Sequence, residues 1–419
     1  MNAEPEPKPE RRAAITGIGV VAPGAIGTEA FWKNTADGVT ALGRIDREGC
    51  THLPLRVAGE VHGFDPAEVI EDTYLVQTDR FTHFAMVATV WALEDARLGH
   101  ADLDSPYSVG VVTAAGSGGG EFGQRELQKL WGSGSRHVGP YQSIAWFYAA
   151  STGQISIRGG FKGPCGVVAG DEAGGLDALA HAARTVGRGT DTVLVGAAEA
   201  PLAPYSMVCQ LGYPELSTAD DPRSAYTPFT PGARGFAPAE GGAMLVVESE
   251  EAAHRRGAPV RATVAGHAAT FTGSGRWDRT REGLAHAIRG ALAEADCAPE
   301  EIDVVFADAL GVVDADRAEA AALVDALGPH GRRVPVTAPK TGIGRAYCAA
   351  PVLDVATAVL AMEHHLVPPT PNLTDPCCDL NLITDRPHPT PLRTALVLSR
   401  GLMGTNAALV LRTGASASR

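Results

Sequence analysis

The chain has 419 residues, of which 45% are apolar and 20% charged, so it can form a large packed core. Its formal net charge of −13 argues against nucleic acid as a partner. No run of about 18 apolar residues occurs, so we predict no membrane span.

The N-terminal residues 1–10 are polar and rich in proline, without the apolar core of a signal peptide, and we expect a disordered tail there. The chain has seven cysteines, an odd number without metal-type spacing, and Cys377 and Cys378 are adjacent. We therefore predict reduced thiols, no metal site and a cytoplasmic location.

Strand-like and helix-like segments alternate along the chain, which predicts a layered α/β protein. The predicted strands are 13–21, 109–113, 192–196, 242–247, 260–265, 302–306, 333–337, 394–398 and 407–411. The predicted helices are 78–96, 174–186, 278–295, 315–326 and 350–364. The chain shows a weak internal similarity: residues 16–19 end a strand early in the first half, and residues 264–267 end one early in the second. This similarity suggests two related halves. We place them at 11–255 and 256–414, with the seam in the charged stretch 250–257.

A glycine-rich segment, GSGGG at residues 116–120, follows the second of these strands. A phosphate-binding loop would need a following Lys-Ser/Thr or an acidic partner at nucleotide-binding spacing, and neither is present. Close approach of the backbone to a neighbouring segment is the favoured interpretation.

Residues 163–177, GPCGVVAGDEAGGLD, run from an apolar strand through a tight turn into a helix. This is the layout of a nucleophile elbow, and it places Glu172 at a helix N-terminus, where negative charge is favoured. The segment resembles the elbow of β-ketoacyl synthases, in which a Cys carries the acyl group. Glu172 occupies the place of that Cys.

Three further motifs resemble the same family, in the expected order. VFADALG at 305–311, followed by DRAE at 316–319, has Asp308 in place of the first catalytic His; PKTGIGR at 339–345 keeps Lys340 but has Arg345 in place of the second His. GLMGTNA at 401–407 resembles the closing glycine loop. The motifs cover nearly the whole chain, and together with the three losses they resemble the chain-length factor, or ketosynthase-β subunit, of type II aromatic polyketide synthases. Glu172 departs from the Gln usual there.

This resemblance implies a thiolase-like fold, with two duplicated halves in five αβαβα layers. It also implies that this chain forms a heterodimer with a catalytic ketosynthase-α subunit. In that heterodimer this chain would shape the tunnel that controls polyketide length while malonyl units are condensed. We expect no condensing activity from the chain alone, although the complex is an acyltransferase. No cofactor is implied, because phosphopantetheine arrives on the acyl carrier protein. The chain is acidic, like the carrier, so we expect the carrier to dock mainly on the partner.

Two other functions stay open. A malonyl-carrier decarboxylase that supplies acetyl starter units would retain the enolate-stabilising His pair, which Asp308 and Arg345 replace here. A lone thiolase-fold acyltransferase would need another nucleophile. Cys165 is the candidate, although a buried Cys in an apolar strand is usually inert.

The resemblance also implies tunnel residues. The helix after the glycine-rich loop would line the tunnel with Gly120, Gly123 and Leu127, with Tyr205 across from them, and the two glycines predict a roomy tunnel. The aromatic segment 141–150 is either core or, as the resemblance suggests, part of the subunit interface.

The roles of the replaced residues can be stated as hypotheses. Glu172 is a base, a structural carboxylate or a relic. Burial would keep it neutral and similar to Gln, whereas a nearby Arg345 would instead favour the charged form. We expect Glu172, Asp308 and Arg345 to converge in an ion network. Lys340 either binds a phosphopantetheine phosphate or donates structural hydrogen bonds.

Overall fold

The computed structural model describes residues 11–273 and 277–414, so the predicted tail at 1–10 lies outside the described residues. The long strands form in runs that are rich in β-branched and apolar residues. The strands of these ranges are β1 (Ala13–Ala22), β2 (Ala25–Ile26), β3 (Leu42–Arg44), β4 (Val57–Gly59), β5 (Val109–Ala115), β6 (Cys165–Ala169), β7 (Thr192–Glu199), β8 (Gly241–Ser249), β9 (Ala262–Phe271), β10 (Val304–Phe306), β11 (Pro335–Thr337), β12 (Leu366–Val367), β13 (Asn381–Leu382), β14 (His388–Pro389), β15 (Thr394–Arg400) and β16 (Thr405–Thr413).

Helices connect most of the long strands. They are α1 (Thr28–Ala36), α2 (Asp72–Leu75), α3 (Arg80–Asp95), α4 (Gly120–Ser133), α5 (Gln142–Ala145), α6 (Ala150–Gly159), α7 (Gly174–Gly187), α8 (Pro204–Gln210), α9 (Glu250–Arg255), α10 (Trp277–Glu294), α11 (Val313–Leu327) and α12 (Ala349–His364). Among the helices that the structure describes, none combines the length and the hydropathy that a bilayer-spanning helix needs.

The strand order repeats between the two halves of the chain. In the first half the order is β1-β8-β7-β5-β6, with two antiparallel pairings followed by two parallel ones. In the second half β9-β16-β15-β10-β11 repeats the same order and the same senses, and β13 extends its edge. The two sheets are joined where the start of β1 pairs with β9.

Five layers follow from the packing, with helices outside and between the two sheets. One apolar cluster joins α3 and α6 to the first sheet, and another joins α10 and α11 to the second. Between the sheets, α7 and α12 pack against both. Helix α12 is buried from Ala349 to Met362, as expected for a helix that is apolar all round. The α/β, thiolase-like αβαβα fold predicted from the sequence is confirmed.

Candidate functional site

The elbow is formed by β6, a short turn and α7. Glu172 is 5% exposed and lies two residues before α7. Its Oε2 accepts a hydrogen bond of 2.8 Å from the backbone N–H of Leu402 in the closing loop. The residue at the nucleophile position therefore holds two segments of the fold together, 230 residues apart in sequence.

The neighbouring Asp171 completes this attachment. Its carboxylate accepts hydrogen bonds from the hydroxyl of Thr405 at 2.8 Å and from the backbone N–H of Met403 at 3.0 Å. Burial raises the pKa of Glu172 well above its usual value, and the adjacent Asp171 raises it further, while Arg345 and the Leu402 N–H lower it. Glu172 therefore favours its protonated form, which presents a donor and an acceptor as Gln does.

The two positions that carry His in β-ketoacyl synthases form an ion pair. Arg345 Nη2 lies 2.8 Å from Asp308 Oδ1, and both side chains are at most 1% exposed. Arg345 also donates to the carbonyl oxygen of Asp308 at 3.2 Å and to that of Arg400. Asp308 and Arg345 are therefore bound to each other and to the backbone.

Arg400, the last residue of β15, extends this pair into a network. Its Nε donates to Asp308 Oδ2 at 3.1 Å and its backbone N–H donates to Asp308 Oδ1 at 2.9 Å. Its Nη2 donates to Glu319 Oε2 at 2.8 Å, and Glu319 also accepts from the backbone N–H groups of Asp308 and Ala309. Burial opposes ionisation of Asp308, but the guanidinium groups of Arg345 and Arg400 outweigh it and lower its pKa to about 2.

The structure thus brings Glu172, Asp308 and Arg345 to one place. Asp308 and Arg345 pair directly, whereas Glu172 joins them through the loop that begins after Arg400. Sequence reasoning missed Arg400 and Asp171. Two features of the sequence could have indicated them: Arg400 is a charged residue at the end of an apolar strand, and Asp171 directly precedes the elbow residue.

Lys340 lies in the same region, in a 3-10 turn at Pro339–Gly342. Its ammonium pairs with the carboxylate of Asp354 on α12, and the two side chains are 2% and 3% exposed. Burial raises the pKa of Asp354 to about 6, although Lys340 opposes the shift. The side chain is therefore engaged within the fold, which favours the structural role over phosphate binding.

Two other cysteines, Cys165 and Cys348, lie close to the elbow. The expectation that Cys165 is buried is wrong: it is exposed, because β6 forms the edge of the sheet. Cys348 is buried behind the elbow, where its thiol lies 3.2 Å from the carbonyl oxygen of Asp171, and burial raises its pKa well above the usual value. A buried, protonated thiol is a poor nucleophile.

The predicted tunnel residues lie on α4 and α8. A Cβ on Gly120 would lie 2.1 Å from Ser206 Oγ, so the single chain leaves no room for a side chain there. A Cβ on Gly123 would lie at ordinary van der Waals distances, 3.8 Å from Trp146 Cβ and 3.9 Å from Gln142 Nε2. The roomy tunnel at these glycines stays a prediction. Leu127 is 39% exposed and Tyr205 54% exposed, so both lie at the surface of the single chain.

The aromatic segment is not core. Tyr141, Trp146, Phe147 and Tyr148 are between 37% and 52% exposed, and Trp131 at the end of α4 is 83% exposed. Contiguous exposed aromatic surface of this kind is typical of an interaction site. Across the described ranges, no group of three or more His, Cys, Asp or Glu side chains is arranged to hold a metal ion.

Comparison with known proteins agrees with this arrangement. The β-ketoacyl synthase N-terminal domain family matches residues 10–253, and the β-ketoacyl synthase C-terminal domain family matches residues 261–374. A polyketide β-ketoacyl synthase 2 of Streptomyces coelicolor is 76% identical over 405 residues, covering 97% of this chain and 96% of that protein. The tetracenomycin polyketide synthase ketoacyl synthase β subunit of Streptomyces glaucescens is 50% identical, covering 95% and 97%.

Two solved structures are also similar. The ishigamide ketosynthase/chain length factor superposes with a TM-score of 0.85 at 26% identity, covering 97% of this chain and 100% of that chain. A chain from the complex of a type II polyketide synthase acyl-carrier protein with its ketosynthase, bound to the hexaketide, gives 0.86 at 28% identity, with coverage of 97% and 100%.

The chain belongs to the β-ketoacyl synthase family, which its fold, its elbow and its closing loop define together. Within that family it is a ketosynthase-β, or chain-length factor, of the type II polyketide synthases, as its relatives and its substituted reactive centre indicate.

Proposed function

We propose that the chain is the non-nucleophilic partner of a catalytic ketosynthase and sets the number of malonyl units that the complex adds. The main support comes from the side chains at the three reactive positions, which are engaged in contacts within the fold. Glu172 is bound to the closing loop, and the side chains of Asp308 and Arg345 are bound to each other. None of the three is free to attack a thioester or to stabilise an enolate.

The chemistry then belongs to the partner subunit. Its Cys carries the chain as a thioester, and malonyl carrier loses CO₂ to give an enolate. The enolate carbon forms a bond with the thioester carbonyl, and the Cys thiolate leaves. The present chain contributes surface to the tunnel that receives the lengthened product.

Surface properties support the heterodimer. The exposed aromatic residues lie close in sequence to the edge strand β6, whose outer backbone groups have no strand partner within the described chain. An unpaired edge beside apolar surface is a site for pairing with another chain. Obligate interfaces of this kind bury about 2,000 Å² or more.

We assign the tunnel wall to α4 and α8, with Leu127 and Tyr205 as its exposed members. Gly120 lets Ser206 of α8 approach α4 closely, and Gly118 and Gly119 let the segment 141–148 do so. Gly123 has neighbours only at ordinary van der Waals distances. Leu127→Phe would add bulk to an already exposed side chain, so we expect it to shorten the product without disturbing the fold.

Charge and thiols support two further assignments. The net charge of −13 disfavours this subunit as the main docking surface for an acidic carrier protein, so we assign that role mainly to the catalytic partner. The seven cysteines are free, which suits the reducing cytoplasm, and we place the complex there.

The proposal is tested with purified subunits. The chain alone should neither condense nor decarboxylate malonyl carrier, while its 1:1 complex with the catalytic ketosynthase should produce polyketide. Glu172→Cys should restore no activity to the chain alone, because Asp308 and Arg345 remain paired. Decarboxylation by the chain alone would support the starter-unit enzyme instead, and condensation by either form would refute the proposal.

A further inference from the structure

The segment 141–148 lies directly on the glycine-rich start of α4. The backbone N–H of Gly119 donates to the carbonyl oxygen of Trp146 at 3.0 Å. A Cβ on Gly119 would lie 2.0 Å from the carbonyl oxygen of Ala145, and one on Gly118 would lie 2.6 Å from that of Trp146. These backbone contacts require glycine, so the glycine run fixes the position of the segment over α4.

Gln142, the first residue of α5, fills space beside Gly123. Its Nε2 lies 3.9 Å from the position that a Cβ on Gly123 would take, an ordinary van der Waals distance. The other neighbour of this position is Trp146 Cβ at 3.8 Å, so the side chains of Gln142 and Trp146 together border the volume into which a larger residue at position 123 would extend.

The fold does not require a carboxamide group at position 142. Its Oε1 is buried and has no hydrogen-bond partner among the residues that the structure describes. Buried polar atoms without a partner are uncommon and destabilising, and an apolar side chain of the same size would avoid the penalty. The side chain is therefore not held there by an Oε1 hydrogen bond of the fold.

The surroundings place Gln142 at the edge of the exposed surface. Tyr141 before it is 37% exposed and Trp146 after it is 52% exposed, while Ala145 on the same short helix is fully buried. Gln142 thus lies between the buried start of α4 and the surface that a partner and a growing chain would cover.

Resting on the proposed function of α4 as tunnel wall, we propose that Gln142 is a length-determining residue. Its side chain replaces the missing side chain of Gly123 and limits the space for the polyketide at that point. Gln142→Ala removes more atoms than one ketide unit adds. Close-packed protein would not fill that volume completely, so the tunnel would accept a longer chain.

The test uses the complex of this chain with its catalytic ketosynthase, supplied with malonyl carrier protein, and product lengths are read by mass spectrometry. We expect Gln142→Ala to move the main product to at least one additional ketide unit. Gln142→Met, which keeps the volume, should retain the wild-type length. Gln77→Ala, the same truncation at a partly exposed glutamine outside α4 and α8, is the matched control and should retain the wild-type length.

The outcomes separate the inference from the function on which it rests. An assembled Gln142→Ala complex with unchanged or shorter products overturns the inference, as does a longer product from Gln142→Met. Loss of the 1:1 complex, measured by light scattering, also overturns it and makes Gln142 an interface residue. If Leu127→Phe shortens the product while Gln142→Ala changes nothing, the proposed function stands without this residue; if neither variant matters, the proposed tunnel wall fails as well.

Discussion

Removal of the Asp308 carboxylate should destabilise the protein strongly. The side chain accepts from Arg345 Nη2 at 2.8 Å, from Arg400 Nε at 3.1 Å and from the Arg400 backbone N–H at 2.9 Å. Together with Glu319, the cluster has two acids and two guanidinium groups, all at most 1% exposed, so Asp308→Ala leaves one buried positive charge without compensation. Breaking a buried ion pair on one side costs about 3–5 kcal/mol.

The assay is urea unfolding of the purified ketosynthase complex at neutral pH. Asp308→Asn should lose less stability than Asp308→Ala, because its amide oxygen still accepts the Arg400 N–H. Asp314→Ala is the control, because Asp314 is 80% exposed and pairs with Arg317 at 3.7 Å, so its loss should change stability by about 0–1 kcal/mol.

A double variant makes the reasoning refutable. Asp308→Ala combined with Arg345→Met removes one charge of each sign, so it should be more stable than Asp308→Ala alone. If Asp308→Ala lies within about 1 kcal/mol of the wild type, or if the double variant is less stable than the single one, the charge-balance argument is wrong.

Three further variants test other contacts by the same unfolding assay. Glu172→Gln should be at least as stable as the wild type, and its advantage should grow with pH. The pKa of Glu172 is higher in the folded protein than its value of 4.5 in the unfolded chain, so wild-type stability falls as the pH rises from 4.5 through the folded-state pKa. A Glu172→Gln variant that is less stable than the wild type at alkaline pH would contradict this prediction. Gly120→Ala should destabilise by about 1 kcal/mol at most, because its Cβ forces the hydroxyl of Ser206 to rotate away, and Ser206→Ala should relieve this; no recovery would count against the contact. Lys340→Met should destabilise less at pH 5 than at pH 8, because Asp354, with a pKa of about 6, is protonated at the lower pH; equal losses would show that the ion pair is not the cause.

Much of the fold could be predicted from apolar periodicity. Most of the long strands and the helices α3, α7, α10, α11 and α12 were predicted within a few residues, because each has a continuous buried face. Strand β9, predicted at 260–265, extends to Phe271, and most of its residues are only partly buried. Helices α6 and α8 were missed, since both are short and carry exposed apolar residues such as Ile157 and Val208. In such segments the hydrophobic pattern does not distinguish inside from outside.

The sequence was sufficient to predict which residues occupy the reactive positions, but not which contacts they make. Motif order located Glu172, Asp308 and Arg345, but nothing local showed that Arg400, 92 residues after Asp308, completes their network. The surroundings of Gly120 also depended on tertiary packing, because only the structure shows that Ser206 of α8 lies where a side chain at position 120 would be.

The attachment of the elbow to the closing loop bears on how such a subunit could regain catalysis. Restoring Cys at position 172 removes the acceptor for the Leu402 N–H, and restoring His at position 308 leaves two arginines without their shared carboxylate. Each reversal weakens the fold before any activity returns, so a mutational path back to an enzyme crosses less stable intermediates. The present contacts of Glu172 with the closing loop, and of Asp308 with Arg345, thus favour retention of these residues over a return to Cys and His.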